Sequence, residues 1–231
     1  MPDDDPQHRA QLARLVVPNS VHFLATVLLR WLHDAHDAAR RIQPYRRDDE
    51  RGEWHNNVSF GTDRYQYLVR TAKSLKSEIP ELAPDFSYQS MLLKLNAAAL
   101  YPFRVDDGPR GPIRSTSDLR AELLSDEDEA ELELLTRKEA LLGSRELILL
   151  PWAGDEGKGC TGLWAGQGVV RDNLIDWYWL IELTGEAEGL GGPTATTPPQ
   201  PDAPDGPALF DQPPPPLRLT PRTEQPHGTG D

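Results

Sequence analysis

Two histidines and a carboxylate stand at helical spacing in the segment from Trp31 to Asp37. Residues three or four positions apart lie on one face of a helix, so His33, His36 and Asp37 can be presented together. Two imidazoles and a carboxylate are suitable ligands for a divalent metal of borderline hardness. The more ordinary interpretation is the solvated polar face of an amphipathic helix, because metal sites usually take ligands from more than one element.

A glycine-rich string, Gly154-Asp155-Glu156-Gly157-Lys158-Gly159, follows a segment with the composition of a buried strand. Glycines permit backbone conformations in which successive N–H groups converge on an anion, and Lys158 adds a cation. The GxxxxGK[ST] spacing of a P-loop is absent. Because glycine and aspartate are typical turn residues, we interpret the string first as a tight turn between two strands.

These six residues resemble the GDEGKG string of adenylosuccinate synthetases. The resemblance implies acid–base chemistry for Asp155 and contact with nucleotide phosphates for Lys158. It covers six of 231 residues, and Cys160 follows the string where the family has a basic residue. In that family the string opens a much longer chain, whereas only 72 residues follow it here.

Glu156, Gly157 and Lys158 also form the ExK charge pair of many metal-dependent nucleases. Such an enzyme needs a further carboxylate to share the metal ion. The candidates are Asp106, Asp107 and Glu146. A hydrolase of this kind would use Asp155, Glu156 and Lys158 for catalysis. A turn is a poor place for the pair, since two such side chains share a face only on a strand.

The segment from Arg40 to Lys76 is basic in an otherwise acidic chain. It contains nine Lys or Arg against five Asp or Glu, about +4, while the whole chain carries -13. Guanidinium groups bind phosphates and aromatic rings stack on exposed bases, and the segment interleaves both. The residues that we predict to bind are Arg40, Arg41, Arg46, Arg47, Arg70 and Lys73. The more ordinary interpretation is a solvated surface held by internal ion pairs.

The composition argues against several classes of protein. A pI near 4.9 opposes nonspecific adhesion of the whole chain to nucleic acid or anionic lipid. The single cysteine, Cys160, cannot close an intramolecular disulfide, and we expect a small buried side chain there. The apolar stretches are too short to span a bilayer, and the acidic start is unlike a secretory signal. We therefore expect a cytoplasmic protein with no membrane partner.

Apolar periodicity predicts two long helices around these residues. The first has its apolar stripe at Val21, Leu24, Leu28, Trp31, Ala35, Ala38 and Ile42 and ends before Pro44. Residues 57–60 are predicted to form a short strand, followed by a turn at Gly61 and a helix capped by Thr62. The buried stripe of that second helix is predicted at Tyr65, Leu68, Ala72, Leu75 and Ile79. A short helix from Ser117 and another from Ser125 to Gly143 complete the helices.

The strands are predicted in the remainder of the chain. Residues 88–105 are ambiguous between a helix and a hairpin, and we predict two strands joined near Asn96. Pro102 would place the second strand at an edge or a bulge. Buried strands are predicted at 145–150 and 161–170, and a closing helix or strand at 176–181, with its tryptophans on the core.

These elements indicate an α+β fold with about four helices packed on a small mixed or antiparallel sheet. We predict a flexible acidic N-terminus over residues 1–9 and a single domain over 10–184. Residues 185–231 are predicted to be a disordered proline-rich tail, because 12 of the 22 prolines lie after residue 185. Within that tail, Leu209 and Phe210 form an apolar pair that can dock into a partner protein.

The function expected from the sequence is binding. We interpret the chain as an accessory or regulatory protein that recognises a protein or nucleic-acid partner through residues 40–76. The alternative is a metal-dependent hydrolase, a nuclease or other phosphodiesterase, and only this alternative requires a divalent metal as cofactor. None of the patterns is specific enough to demand catalysis.

Overall fold

The computed structural model of the chain describes residues 5–47, 57–86, 91–106, 108–113, 123–124 and 138–185. The chain divides into two units, Met1–Gly192 and Pro193–Asp231, and every described residue lies in the first. Among these residues no helix has the length and apolarity needed to span a membrane. The predicted helix starts at Ser117 and Ser125 lie outside the described residues, as do Leu209 and Phe210.

Three α-helices precede the sheet in the chain. They are α1 (Pro6–Leu15), α2 (Val21–Arg47) and α3 (Asn57–Ala72), and a 3-10 helix, Lys73–Ser77, extends α3. Helix α1 was not predicted, and its first turn takes up residues 6–9 of the segment that was expected to be a flexible N-terminus. Asp5 caps this helix, because its carboxylate accepts a hydrogen bond of 2.9 Å from the Gln7 backbone N–H.

Helix α2 continues through Pro44 to Arg47, so the prediction that it ends before the proline was wrong. A proline at this position removes one N–H donor, which would otherwise bond to the carbonyl of Arg40. Both Arg40 and Pro44 are exposed, so water can satisfy that carbonyl. The predicted stripe is buried from Leu24 to Ala38, whereas Ile42 at its end is 43% exposed.

Helix α3 begins at Asn57, and the predicted strand over residues 57–60 and the turn at Gly61 were wrong. Thr62 is not a cap, because its hydroxyl donates back to the Val58 carbonyl at 2.9 Å within the helix. The earlier start moves Phe60 into the buried face, at 5% exposure. Tyr65 is 43% exposed, which corrects its place in the predicted stripe, whereas Leu68 and Ala72 are buried as predicted.

Replacing Gly61 by alanine is expected to stabilise the protein by about 0.5–1 kcal/mol. Alanine has a lower backbone entropy cost than glycine inside a helix. A Cβ atom built on Gly61 meets no heavy atom within 4 Å, so no steric cost opposes this gain. Urea denaturation of the two proteins measures the difference, and a less stable Gly61→Ala variant would contradict the helical assignment.

The sheet has six strands in the order of the chain. They are β1 (Ala83–Asp85), β2 (Leu92–Lys94), β3 (Ala98–Arg104), β4 (Glu146–Asp155), β5 (Gly159–Arg171) and β6 (Leu174–Glu182). Only the β3–β4 pair is parallel, and the other four pairs are antiparallel. The fold is therefore α+β with a mixed sheet, as predicted. The two strands expected over 88–105 are β2 and β3, on either side of Asn96.

Pro102 lies in an internal strand, which corrects the prediction of an edge position. The Val105 N–H bonds to the carbonyl of Trp152 on β4, so by alternation the nitrogen of Pro102 faces the opposite side. On that side, pairing with the short β2 extends only to Leu100. The missing donor of Pro102 therefore costs the sheet no hydrogen bond.

Apolar residues cover both faces of the sheet. On one face, Leu100 of β3 and Ile148 of β4 belong to a core cluster that includes residues of α1, α2 and α3. On the other face, Phe103 and Leu149 pack with Leu142 and its neighbours. Strands β3 and β4 are thus buried on both sides, which explains their continuous apolar sequence.

Candidate functional site

The carboxyl ends of the parallel strands β3 and β4 meet at one edge of the sheet. Arg104, the last residue of β3, pairs in register with Trp152 of β4. By alternation both side chains lie on the sheet face that carries Leu100 and Ile148, which is the face covered by the helices. Polar residues from several separate elements gather at this edge.

The string 154–159 forms the end of β4, a tight turn and the start of β5, which confirms the first interpretation. One carboxylate oxygen of Asp155 accepts hydrogen bonds from the backbone N–H groups of Gly157 and Lys158, both at 2.8 Å. The Lys158 N–H is the main reason that the pKa of Asp155 lies below its usual range. Asp155 therefore has a structural task in holding the turn.

Helix α2 packs on this turn through its two histidines. His36 is 2% exposed, and its Nε2 lies 3.2 Å from the Glu156 carbonyl oxygen. Because a carbonyl only accepts, we assign the imidazole proton to Nε2, which leaves Nδ1 unprotonated. A Cβ atom on Gly159, where φ is +82°, would lie 3.3 Å from Nδ1 of His33. The positive φ and this close approach both favour glycine at position 159.

The predicted metal ligands gain no support from this arrangement. His33 and Asp37 are exposed, and Nε2 of His36 is occupied by the Glu156 carbonyl. Burial lowers the pKa of His36, which favours the neutral ring. In the part of the chain that the structure describes, no three His, Cys, Asp or Glu residues are grouped to hold a metal ion.

Of the carboxylates proposed to join Lys158, Glu146 lies far from it. Glu146 begins β4, and Lys158 lies beyond its other end, roughly 30 Å away for a strand of this length. Asp106 forms an ion pair with Arg104 at 2.9 Å, and Asp107 lies outside the described residues. Lys158 itself is exposed.

Arg64 of α3 is the residue at this edge that sequence reasoning did not single out. It is 3% exposed, and its guanidinium carbon lies 4.5 Å from the ring centroid of Trp152. The same carbon lies 5.3 Å from the centroid of Phe60. Burial first, and then the charge of Arg104, lower the pKa of Arg64 to about 10. The spacing of Phe60, Arg64 and Leu68 is the signal that could have found it, since residues four apart share a helix face.

Cys160 is buried beside this cluster, as predicted. Burial is the main cause that raises the pKa of its thiol. The thiol lies 3.6 Å from the Gly162 carbonyl, to which it can donate. A thiol in this state is a poor nucleophile, because the reactive form is the thiolate.

A second candidate site is the groove between α2 and α3. The helices run antiparallel, as contacts of Gln43 with Asp63 and of Trp31 with Thr71 show. The groove has a volume of about 150 Å³. Its lining residues are Ala38, Ala39, Ile42, Asp63, Gln66, Tyr67 and Arg70. Arg41 and Tyr45 lie on the same side of α2 as Ala38.

Several predicted binding residues are exposed on α2, α3 and the 3-10 helix, and one of them, Arg70, lines the groove. They are Arg40, Arg41, Arg70 and Lys73, to which Lys76 can be added. Within the described ranges, none of the five forms an ion pair with a carboxylate. The side chains of Arg46 and Arg47 lie outside the described residues. Among the described residues, the internal ion pairs of the ordinary interpretation are thus not found for these five cations.

No family model, curated protein or solved structure matches this chain. The cluster at the carboxyl ends of β3 and β4 combines the buried guanidinium of Arg64, the neutral imidazole of His36 and the protonated thiol of Cys160. Such a set favours binding of a negatively charged group over proton transfer or metal chemistry.

Proposed function

We propose that this chain is a cytoplasmic accessory protein that binds single-stranded nucleic acid along the surface of α2 and α3. The proposal is carried by the five exposed cations that make no ion pair with a described carboxylate. A cation that makes no such ion pair can bind a phosphate directly, without giving up a carboxylate partner. The chain elsewhere is acidic, which confines the contact to this surface.

The groove supplies the second component of single-strand binding. Tyr45 is 82% exposed and Ile42 is 43% exposed beside Arg41, so an aromatic ring and a cation lie on one helix face. Bases stack on such rings, while the backbone phosphates contact neighbouring Arg and Lys side chains. Among the described residues that line the groove, Asp63 is the one carboxylate, and Gln43 donates a hydrogen bond of 3.3 Å to it.

The hydrolase alternative has no comparable support. Asp155 already accepts two backbone hydrogen bonds, Lys158 is exposed, and Glu146 lies at the far end of β4. A metal-dependent phosphodiesterase requires carboxylates that converge on one cation. We therefore do not propose catalysis by Asp155, Glu156 and Lys158.

A double variant, Arg41→Gln with Arg70→Gln, tests the binding proposal. Each lost phosphate contact should reduce the slope of log affinity against log salt by about 0.7 for a single strand, so the pair should reduce it by about 1.4. Fluorescence anisotropy of a labelled 30-nucleotide single strand, titrated at several salt concentrations, measures both slope and affinity.

The matched control is Arg14→Gln with Arg171→Gln. Both residues are exposed and lie outside α2 and α3, and this pair changes the net charge by the same amount. Unchanged binding in the control together with the reduced slope in the first variant supports the proposal. Equal slopes in all three proteins, or no binding by the unmodified chain at low salt, would refute it.

A further inference from the structure

Arg64 carries a charge that the described part of the protein does not neutralise. Its Nη1 atom is buried and has no hydrogen-bond partner. Its guanidinium makes no ion pair with any described carboxylate. A buried charge normally has a partner, because removal from water is costly. The rings of Trp152 and Phe60 offset part of this cost, but Nη1 still has no hydrogen-bond partner among the described residues.

The immediate surroundings add positive charge instead of removing it. The positive charge of Arg104 is the second largest cause, after burial, that lowers the pKa of Arg64. The carboxylate of Asp106 is paired with Arg104 at 2.9 Å and acts on Arg64 only weakly. His36 is neutral, as is the thiol of Cys160. Among the described groups that shift the pKa of Arg64, only Arg104 and Asp106 are charged, so these two and Arg64 together carry about +1.

We propose that Arg64 and Arg104 form a binding site for a phosphate group at the carboxyl ends of β3 and β4. The inference goes beyond the proposed function, because Arg64 lies on the sheet side of α3 and does not line the groove. A phosphate supplies the missing negative charge and several acceptor oxygens. Arginine suits this task, since its planar fork donates two parallel hydrogen bonds to one oxyanion.

The arrangement is preorganised for such a ligand. Contacts with the rings of Trp152 and Phe60 fix the position of the Arg64 guanidinium, and its Nη1, which has no described hydrogen-bond partner, can donate to a ligand. The Arg104 guanidinium also donates a hydrogen bond of 3.5 Å to the carbonyl oxygen of Gly154, which lies directly before the turn. Low local polarity strengthens each charge-assisted hydrogen bond that the anion would accept. A phosphate bound here would join α3 to the ends of β3 and β4.

The test uses the full chain and inorganic phosphate. The melting temperature is measured across a phosphate titration, with sodium chloride at matched ionic strength as the reference. A ligand that binds only the native state raises the melting temperature progressively. We expect this rise for the unmodified chain, no rise for Arg64→Met, and an affinity weakened about tenfold or more for Arg104→Gln.

Control variants separate this site from other effects. Arg30→Gln removes an exposed arginine that pairs with Glu78 and should keep the phosphate response. The groove variant, Arg41→Gln with Arg70→Gln, should also keep it, so failure of one proposal is distinguishable from failure of the other. If Arg64→Met does not fold, Arg104→Gln carries the test, because Arg104 is exposed. The inference is overturned if the unmodified chain shows no rise beyond that in chloride, or if Arg104→Gln responds like the unmodified chain.

Discussion

Replacing Leu100 by alanine is expected to lower the free energy of unfolding by about 3–5 kcal/mol. Leu100 is fully buried on β3, between Leu93 of β2 and Ile148 of β4 in register. The substitution removes three buried carbon atoms and leaves a cavity that neighbouring strands cannot readily fill. Because a domain is stable by only about 5–15 kcal/mol, this single change should remove a large part of its stability.

The measurement is urea denaturation followed by tryptophan fluorescence. Leu174→Ala is the matched control, since the same atoms are removed from a leucine that is 46% exposed. We expect the control to stay within about 0.5 kcal/mol of the unmodified chain. Similar losses in both variants would contradict the central position of β3.

Replacing Gly154 by alanine is expected to destabilise the protein by roughly 1–3 kcal/mol, as overpacked substitutions do. A Cβ atom at this position would lie 2.5 Å from the Gly159 carbonyl oxygen and 3.1 Å from the Cα of Cys160. Both are backbone atoms of the paired strand β5, so the hairpin itself must shift. The shift would also move the Glu156 carbonyl that bonds to His36.

Gly157→Ala provides the control within the same turn. Its Cβ atom would meet only a carboxylate oxygen of Asp155 at 3.4 Å, which is ordinary contact. Thermal unfolding of the two variants should show a clearly lower melting temperature for Gly154→Ala alone. Equal melting temperatures would mean that the close pairing of β4 and β5 at Gly154 is wrong.

Local sequence patterns predicted some elements and missed others. Residues 88–105 contain β2 and β3, as predicted, whereas 176–181, left open between a helix and a strand, became part of β6, and β1 was not predicted. Pro44 and Gly61 were over-interpreted, because each is a helix breaker only when nothing else sustains the helix. Burial of Phe60 sustains α3 through Gly61, and tertiary packing commonly overrides such propensities.

The candidate site also contains features that local residues specify and features that only tertiary packing specifies. The turn at 154–159 was predictable, because glycine and aspartate specify a turn locally. The burial of Arg64 was not, because it depends on α3 beginning before Thr62 and on where Trp152 lies. His33 and His36 were recognised as a pair, but their contact with the turn 120 residues further on was not predictable from their spacing.

The amino-acid sequence by itself determined the mixture of helices and strands, the acidic chain with a basic segment, and the turn before Cys160. These features depend on residues close together in the chain, whose backbone preferences and charges act locally. Only the tertiary structure decided that Arg64, Arg104 and His36 approach one edge of the sheet. That juxtaposition results from packing between distant segments, where burial of apolar surface outweighs what each segment prefers alone.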